Sequence, residues 1–172
     1  MTRIEGRTSF ARSPEQMFDF LADPRNEPAY NPRIRSARKL TPGAIGPGTR
    51  YVQHAKSFGR VGDVTIVLVD YQRPRRLSWD IQSAGISVRG DVRFDPRAAG
   101  CRVSWAWDLH PKGACRLLGP LMGLAGRRME RRVWQRMQRY VDAMPATRPL
   151  TDATARDAAT NRERPRSVGR AA

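Results

Sequence analysis

Residues 86–94 read Ile-Ser-Val-Arg-Gly-Asp-Val-Arg-Phe, and this stretch decides the fold. Every second residue is apolar or small, from Ile86 through Val88, Gly90 and Val92 to Phe94, whereas the residues between them are polar or charged. Because successive side chains of a β-strand point to opposite faces of the sheet, such a strand has one dry face and one wet face. The stretch therefore predicts a sheet that is covered on one side only.

The same alternation continues in the neighbouring segments. The apolar positions of the following run are Cys101, Val103, Trp105, Trp107 and Leu109, and those of the preceding run are Leu77, Trp79 and Ile81. Turn residues separate the β-type runs, which is typical of a meandering antiparallel sheet. We predict strands over 2–11, 33–40, 49–57, 60–71, 76–82, 86–95 and 101–110. In strand 49–57, either the face of Tyr51 and Gln53 or that of Val52 and His54 could point inward.

Helical patterns lie between the first and second predicted strands and after the last one. Ser13-Pro14-Glu15-Gln16 places an N-cap hydroxyl, a proline at the first helical position and a glutamine three residues on, which predicts a short helix ending near Asp23-Pro24. A second short helix is expected over 25–30. A long helical pattern runs from Gly113 to about 144, is interrupted at Gly119-Pro120, and carries its apolar stripe on Met122, Ala125, Met129, Val133, Met137 and Tyr140.

Length and composition indicate one domain and a tail. The 172 residues carry a formal net charge of +16, mostly from arginine, and the tail accounts for little of it. We expect residues 1–144 to form the domain and residues 145–172, which lack aromatic side chains, to be a disordered Arg-rich tail. No apolar segment resembles a signal peptide or a membrane span, and the two cysteines are expected to be reduced, so a cytoplasmic location is expected.

The order of strand, two short helices, six strands and one long helix resembles the Bet v 1-like or START-like helix-grip (SRPBCC) superfamily, in its polyketide cyclase/dehydrase and lipid transport branch. The resemblance covers about residues 3–144. Local phrases support it at residues 13–18, 46–49, 73–77 and 111–113. It implies an α+β fold in which a seven-stranded curved antiparallel sheet, two short helices and one long C-terminal helix enclose a cavity.

The resemblance also implies the function, which is to bind and to sequester or transfer a small apolar molecule such as a lipid or polyketide. Aromatic and aliphatic side chains of the inner face could fill a solid core or line a pocket, and the resemblance favours the pocket. The expected lining is Tyr71, Trp79, Val88, Val92, Phe94, Val103, Trp105, Trp107, Met122, Met129 and Val133. A cyclase or dehydratase enzyme that uses the same cavity is the alternative, with His54, Tyr71 and Arg136 as candidates for proton transfer.

Charge suggests a third class of function, a protein that binds nucleic acid or a membrane surface. Arg127, Arg128, Arg131 and Arg139 fall outside the apolar stripe and predict a basic surface that could contact anionic lipid weakly. No aromatic residues alternate with these charges, so nucleic acid is not expected as a partner. The two histidines lie on different strands, and we expect no metal and no cofactor.

Overall fold

A computed structural model describes residues 2–57, 60–113 and 119–145. Its strands are β1 (Thr2–Phe10), β2 (Ile34–Lys39), β3 (Arg50–Ser57), β4 (Arg60–Gln72), β5 (Arg76–Gln82), β6 (Ile86–Arg97) and β7 (Gly100–Pro111). Its helices are α1 (Pro14–Leu21), a 3₁₀ helix (Pro24–Ala29) and α2 (Gly119–Asp142). The strands form one antiparallel sheet in the order β1-β7-β6-β5-β4-β3-β2, so the predicted α+β architecture is confirmed.

The capping residues predicted from the sequence start helix α1. The backbone N–H of Gln16 donates to Ser13 Oγ at 3.3 Å, and the Ser13 N–H donates to Gln16 Oε1 at 3.2 Å. These bonds satisfy two N–H groups that a helix N-terminus otherwise leaves open. The helix buries Met17, Phe18 and Phe20 against the inner face of the sheet, near β6 and β7.

Register places the apolar side chains of five strands in rows across the inner face. One row runs from Ile4 through Trp107, Gly90 and Trp79 to Leu68. The glycine in the middle of this row has no side chain, and the Trp107 indole lies over it, because a Cβ atom built on Gly90 would overlap Trp107 Cζ3. In the next row, the Trp105 ring lies over Gly6 in the same way.

Strand β3 points the side chains of Tyr51 and Gln53 inward. Tyr51 and Gln53 are buried, whereas His54 is exposed on the opposite face. Of the two alternatives that the sequence left open, the first is therefore correct. The buried Gln53 amide donates to the backbone oxygen of Pro24 at 3.3 Å, which links this strand to the 3₁₀ helix.

Helix α2 begins at Gly119, so the predicted interruption at Gly119-Pro120 coincides with the helix start, where proline is tolerated. Its buried side chains are Trp134, Met137 and Val141. The predicted members Met129, Val133 and Tyr140 are only partly buried. Met137 of the predicted stripe is therefore buried as expected, Trp134 and Val141 are buried without having been predicted, and the side chains of Met122 and Ala125 lie outside the described part. Near its start, Gly123 and Gly126 approach the side chains of Thr2 and Ile4 on β1.

A buried arginine closes the other end of α2. The guanidinium of Arg12, which is 6% exposed, donates to the backbone oxygens of Val141 at 3.3 Å and Pro145 at 3.2 Å, and to that of Met144. The last carbonyls of a helix lack intrahelical partners and carry partial negative charge, so a cation is favoured here. The predicted tail begins at this point, and its residues 146–172 lie outside the described part of the chain.

The close approach of Trp107 to Gly90 gives a first prediction. Gly90→Ala should push the indole off the sheet and lower the unfolding free energy by about 1–3 kcal/mol, because extra volume in a packed core forces side chains from their positions. Gly62→Ala is the matched control, since a Cβ atom there meets no atom within 4 Å. Denaturant unfolding of both variants tests this, and equal stability of the two would contradict it.

Candidate functional site

A carboxylate on α2 faces the aromatic side chains of the sheet. Glu130 Oε2 accepts hydrogen bonds from the indole N–H of Trp107 on β7 and from that of Trp134, one helical turn further along α2, both at 3.0 Å. Tryptophan can only donate, so two indoles that converge on one oxygen fix the position of the carboxylate. The helix and the sheet therefore meet through a polar contact in a largely apolar layer.

Stacked indoles form one wall beside this carboxylate. The rings of Trp105 and Trp134 are nearly parallel, with centroids 3.8 Å apart and an interplanar angle of 9°. Trp105 is buried, and its indole N–H has no hydrogen-bond partner among the described residues. Trp105 thus contributes an apolar surface that keeps water from the α2 side of the sheet.

A second carboxylate lies on the 3₁₀ helix. Glu27 Oε2 accepts from the Gln53 amide at 2.7 Å, and Oε1 accepts from the Asn31 amide at 2.7 Å. Desolvation raises the pKa of Glu27 despite these two bonds. Tyr30 follows on the same segment, with its ring 5.8 Å from that of Phe20 and 6.4 Å from that of Tyr140. We name Glu27, Tyr30, Gln53, Trp107, Glu130 and Trp134 the interior polar cluster.

The charges of this cluster influence one another. Desolvation raises the pKa of Glu130 to about 7, the indole hydrogen bonds and Arg33 oppose the rise, and the charge of Glu27 adds to it. The pKa of Tyr30 is raised well above its usual value by desolvation and then by the charges of Glu27 and Glu130. A carboxyl group that titrates near neutrality can both donate and accept a proton, whereas Tyr30 stays protonated.

Several side chains between sheet and helix are not fully enclosed. Glu27, Tyr30 and Glu130 keep part of their surface accessible, although desolvation raises the pKa of each. Val88 and Leu109, which lie on the inner face, are also partly exposed. In contrast, the inner face near α1 is solid, since Phe18, Phe94 and Val103 are buried there.

The residues predicted to line a pocket differ in how deeply they are buried. Met122 has a side chain outside the described part. Buried in the core are Trp79, Val92, Phe94, Val103 and Trp105. Partly buried are Tyr71, Val88, Trp107, Met129 and Val133. The only overlap with the interior polar cluster is Trp107.

The three residues considered for catalysis lie apart from the cluster. His54 is exposed, with Nδ1 2.5 Å from Asp63 Oδ1. Arg136 is exposed on α2. Tyr71 is partly buried, and its ring packs edge-to-face on Phe18 at a centroid distance of 4.9 Å. The structure thus brings none of the three to the two glutamates.

Five members of the cluster were not among the predicted site residues, namely Glu27, Tyr30, Gln53, Glu130 and Trp134. For Glu130, a signal was present in the sequence, because it precedes Val133 by three and Trp134 by four residues and so lies on the apolar side of α2. For Glu27 and Gln53 there was none, since the contact between them joins residues far apart in the chain.

Other features of the described chain lie elsewhere. An open surface depression of about 370 Å³ lies between residues 11–16 and 96–100, and no member of the interior polar cluster lines it. In the described residues, no three His, Cys, Asp or Glu side chains are grouped as a metal site would require. No helix of the described part is long and apolar enough to span a membrane.

Comparison with known proteins identifies the family. Residues 1–144 match the model of the family described as polyketide cyclase / dehydrase and lipid transport. The chain belongs to this family. Among curated proteins, it is similar to the uncharacterized protein Rv2574 of Mycobacterium tuberculosis, with 28% identity over 141 residues, 77% of this chain and 80% of that protein.

Solved structures of the START and Bet v 1 superfamily share the fold. A START superfamily protein from Mycobacterium smegmatis superposes with a TM-score of 0.72 at 12% identity, over 83% of this chain and 98% of the other. The crystal structure of Ara h 8.0201 gives a TM-score of 0.64 at 17% identity, with the same coverage of both chains. The resemblance to the helix-grip superfamily is therefore confirmed.

The raised pKa of Glu130 makes stability depend on pH. Folding strengthens proton binding at this carboxyl, so its contribution to the unfolding free energy is present below about pH 4.5 and is lost as the pH rises to about 7. Glu130→Gln should therefore gain about 1–3 kcal/mol relative to wild type between these pH values. The pKa of Glu27 is also raised, but Glu27 is present in both wild type and Glu130→Gln.

Denaturant unfolding of wild type and Glu130→Gln across this pH range tests the prediction. Glu5→Gln is the control, because Glu5 is exposed and should leave the pH profile as in wild type. Parallel profiles for wild type and Glu130→Gln would show that the carboxyl is not desolvated.

Proposed function

We propose that the protein binds a small apolar molecule, such as a lipid or a polyketide, between the concave face of the sheet and α2. Family membership and fold support a ligand-binding role. The observation that carries the location is the interior polar cluster, in which Glu130 is held between two tryptophan indoles and Tyr30 packs near the rings of Phe20 and Tyr140. Ligand pockets are mostly apolar and aromatic, with a few fixed polar groups that orient the ligand.

The cluster also indicates how the ligand would be oriented. A protonated Glu130 donates to a ligand carbonyl, and the ionised form accepts from a hydroxyl, so either group would be matched near neutral pH. The indoles of Trp107 and Trp134, which hold Glu130 in place, offer apolar surface to the rest of the molecule. We therefore expect a mainly apolar ligand with one uncharged polar end directed to Glu130.

Non-covalent binding is sufficient for this role. None of the six cluster residues is a thiol, an aliphatic hydroxyl or an amine, and the carboxyl oxygens of Glu27 and Glu130 already accept hydrogen bonds from neighbouring side chains. The phenol of Tyr30 is a poor nucleophile because its pKa is raised. The proposed activity is therefore to sequester the molecule or to transfer it.

Filling the space should abolish binding. Val88 lies on the inner face and is partly buried. Val88→Trp should therefore occupy room beside the cluster and lower the affinity for an apolar fluorescent probe at least tenfold. Val69→Trp is the matched control, because Val69 is 56% exposed on the outer side of β4. Probe titration and native mass spectrometry for co-purified apolar molecules provide the measurements. Equal probe affinity in both variants would reject this location.

A cyclase or dehydratase activity in the same space is the second candidate, and the pKa of Glu130 favours it. A carboxyl with a pKa near 7 can transfer a proton to or from a folded polyketide, which contributes about 10²–10⁴-fold to a rate. With a polyketide mimic as substrate, Glu130→Gln should lower kcat by at least a hundredfold while probe affinity is retained. His54→Ala, on the outer face, is the control that should leave kcat unchanged. Turnover that survives Glu130→Gln would exclude this role for Glu130.

A further inference from the structure

The outer face of α2 is both strongly basic and locally apolar. Leu124 is 71% exposed, the largest exposed fraction of any large apolar side chain in the described part of the protein. Arginines cover the rest of this face, and the exposed ones are Arg127, Arg128, Arg131, Arg132, Arg136 and Arg139. We name Leu124 and these six arginines the α2 outer face.

Helical spacing places the leucine beside the arginines. Arg127, Arg128 and Arg131 follow Leu124 by three, four and seven residues, the intervals at which side chains share one side of a helix. An exposed apolar side chain is thus bordered by guanidinium groups that point the same way. Isolated exposed leucines are common, but the arginines around this one would bring it to an anionic lipid surface, where an apolar side chain can leave water.

The positive charge of this face exceeds the negative charge near it. Helix α2 carries six arginines and two acidic residues, of which Glu130 faces the sheet and bonds to Trp107, and Asp142 is the last residue of the helix. None of the ion pairs found among the described residues includes an arginine of the α2 outer face, and Arg139 donates to the backbone oxygen of Gln135 at 3.4 Å. The face therefore has a net positive charge that an anionic surface would match.

We propose that the α2 outer face docks on an anionic lipid bilayer, with Leu124 inserted among the acyl chains and the arginines at the phosphate groups. The phosphates of a nucleic acid would match the positive charge equally well. The exposed Leu124 is what distinguishes a bilayer from a nucleic acid as the partner. A bilayer provides an apolar region that removes Leu124 from water, whereas a nucleic acid backbone does not.

The position of Leu124 connects this surface to the interior. Its neighbour Gly123 lies against Thr2 on β1, and register pairs Thr2 with Leu109 and Leu109 with Val88. Leu109 and Val88 are among the inner-face residues that remain partly exposed. Docking through Leu124 would therefore bring the less enclosed end of the concave face to the bilayer.

The test is co-sedimentation of the full chain with vesicles of phosphatidylcholine, with and without phosphatidylserine, at low and at high salt. One variant changes Arg127, Arg128, Arg131 and Arg139 to Gln. Its control changes the exposed Arg35, Arg38, Arg50 and Arg75 to Gln, which removes the same charge elsewhere. Each arginine near an anionic surface strengthens binding up to about fivefold, so the first variant should bind at least tenfold more weakly than the control.

Leu124→Ser tests insertion without a change of charge, and its expected effect is a severalfold loss of vesicle binding at constant salt dependence. A duplex DNA titration runs in parallel for every protein. Equal vesicle binding by the two quadruple variants would overturn the proposal. So would DNA binding that falls with the α2 arginines while Leu124→Ser leaves vesicle binding unchanged, because that pattern indicates a nucleic-acid surface. Circular dichroism melts confirm that each variant is folded.

Discussion

The inner face of the seven-stranded sheet has to be kept from water, and mainly one long helix is available to cover it. An antiparallel sheet with alternating side chains leaves a single apolar face, and burial of that face is the main driving force for folding. Helix α1 seals one region with Met17, Phe18 and Phe20, where the core is solid. Elsewhere the cover consists of α2, and the contact is made by tryptophan rings. The polar groups that are trapped there must find partners inside the protein.

Glu130 illustrates that requirement. A carboxyl group in a largely apolar layer is costly unless it is bonded or protonated, and here both routes are used, because two indoles donate to it and its pKa is raised to about 7. Gly90, which lies under the Trp107 ring, contributes to the same arrangement. Gly90 leaves room for the Trp107 ring to lie flat on the sheet, and this position brings the indole N–H within reach of α2. A glycine on β6 thus helps to position the indole that donates a hydrogen bond to Glu130, forty residues later in the chain.

The fold could be predicted from the sequence because its signals are local. Alternation in 86–94 and 101–110 and the capping residues at 13–16 each act within a few residues, and the observed strands differ from the predicted ones by at most two residues at an end. The candidate site could not be predicted in the same way. Charged residues usually mark the solvent side of a helix, and the predicted stripe included neither Glu130 nor Trp134. The partnership of Glu27 with Gln53 depends on curvature of the sheet, which no local pattern encodes.

The Arg12 contacts at the C-terminal end of α2 have a mechanical consequence. They join the last turn of the helix to the segment that follows β1, so this end of α2 cannot leave the sheet without breaking charge-assisted hydrogen bonds. A helix of 24 residues is about 36 Å long. If it tilts about the fixed end by about 10°, Gly123 moves by about 5 Å, roughly the width of an aliphatic chain, while the Arg12 end stays in place. Entry to the interior would then be controlled at the end opposite the pivot, where Gly123 and Gly126 lie against β1.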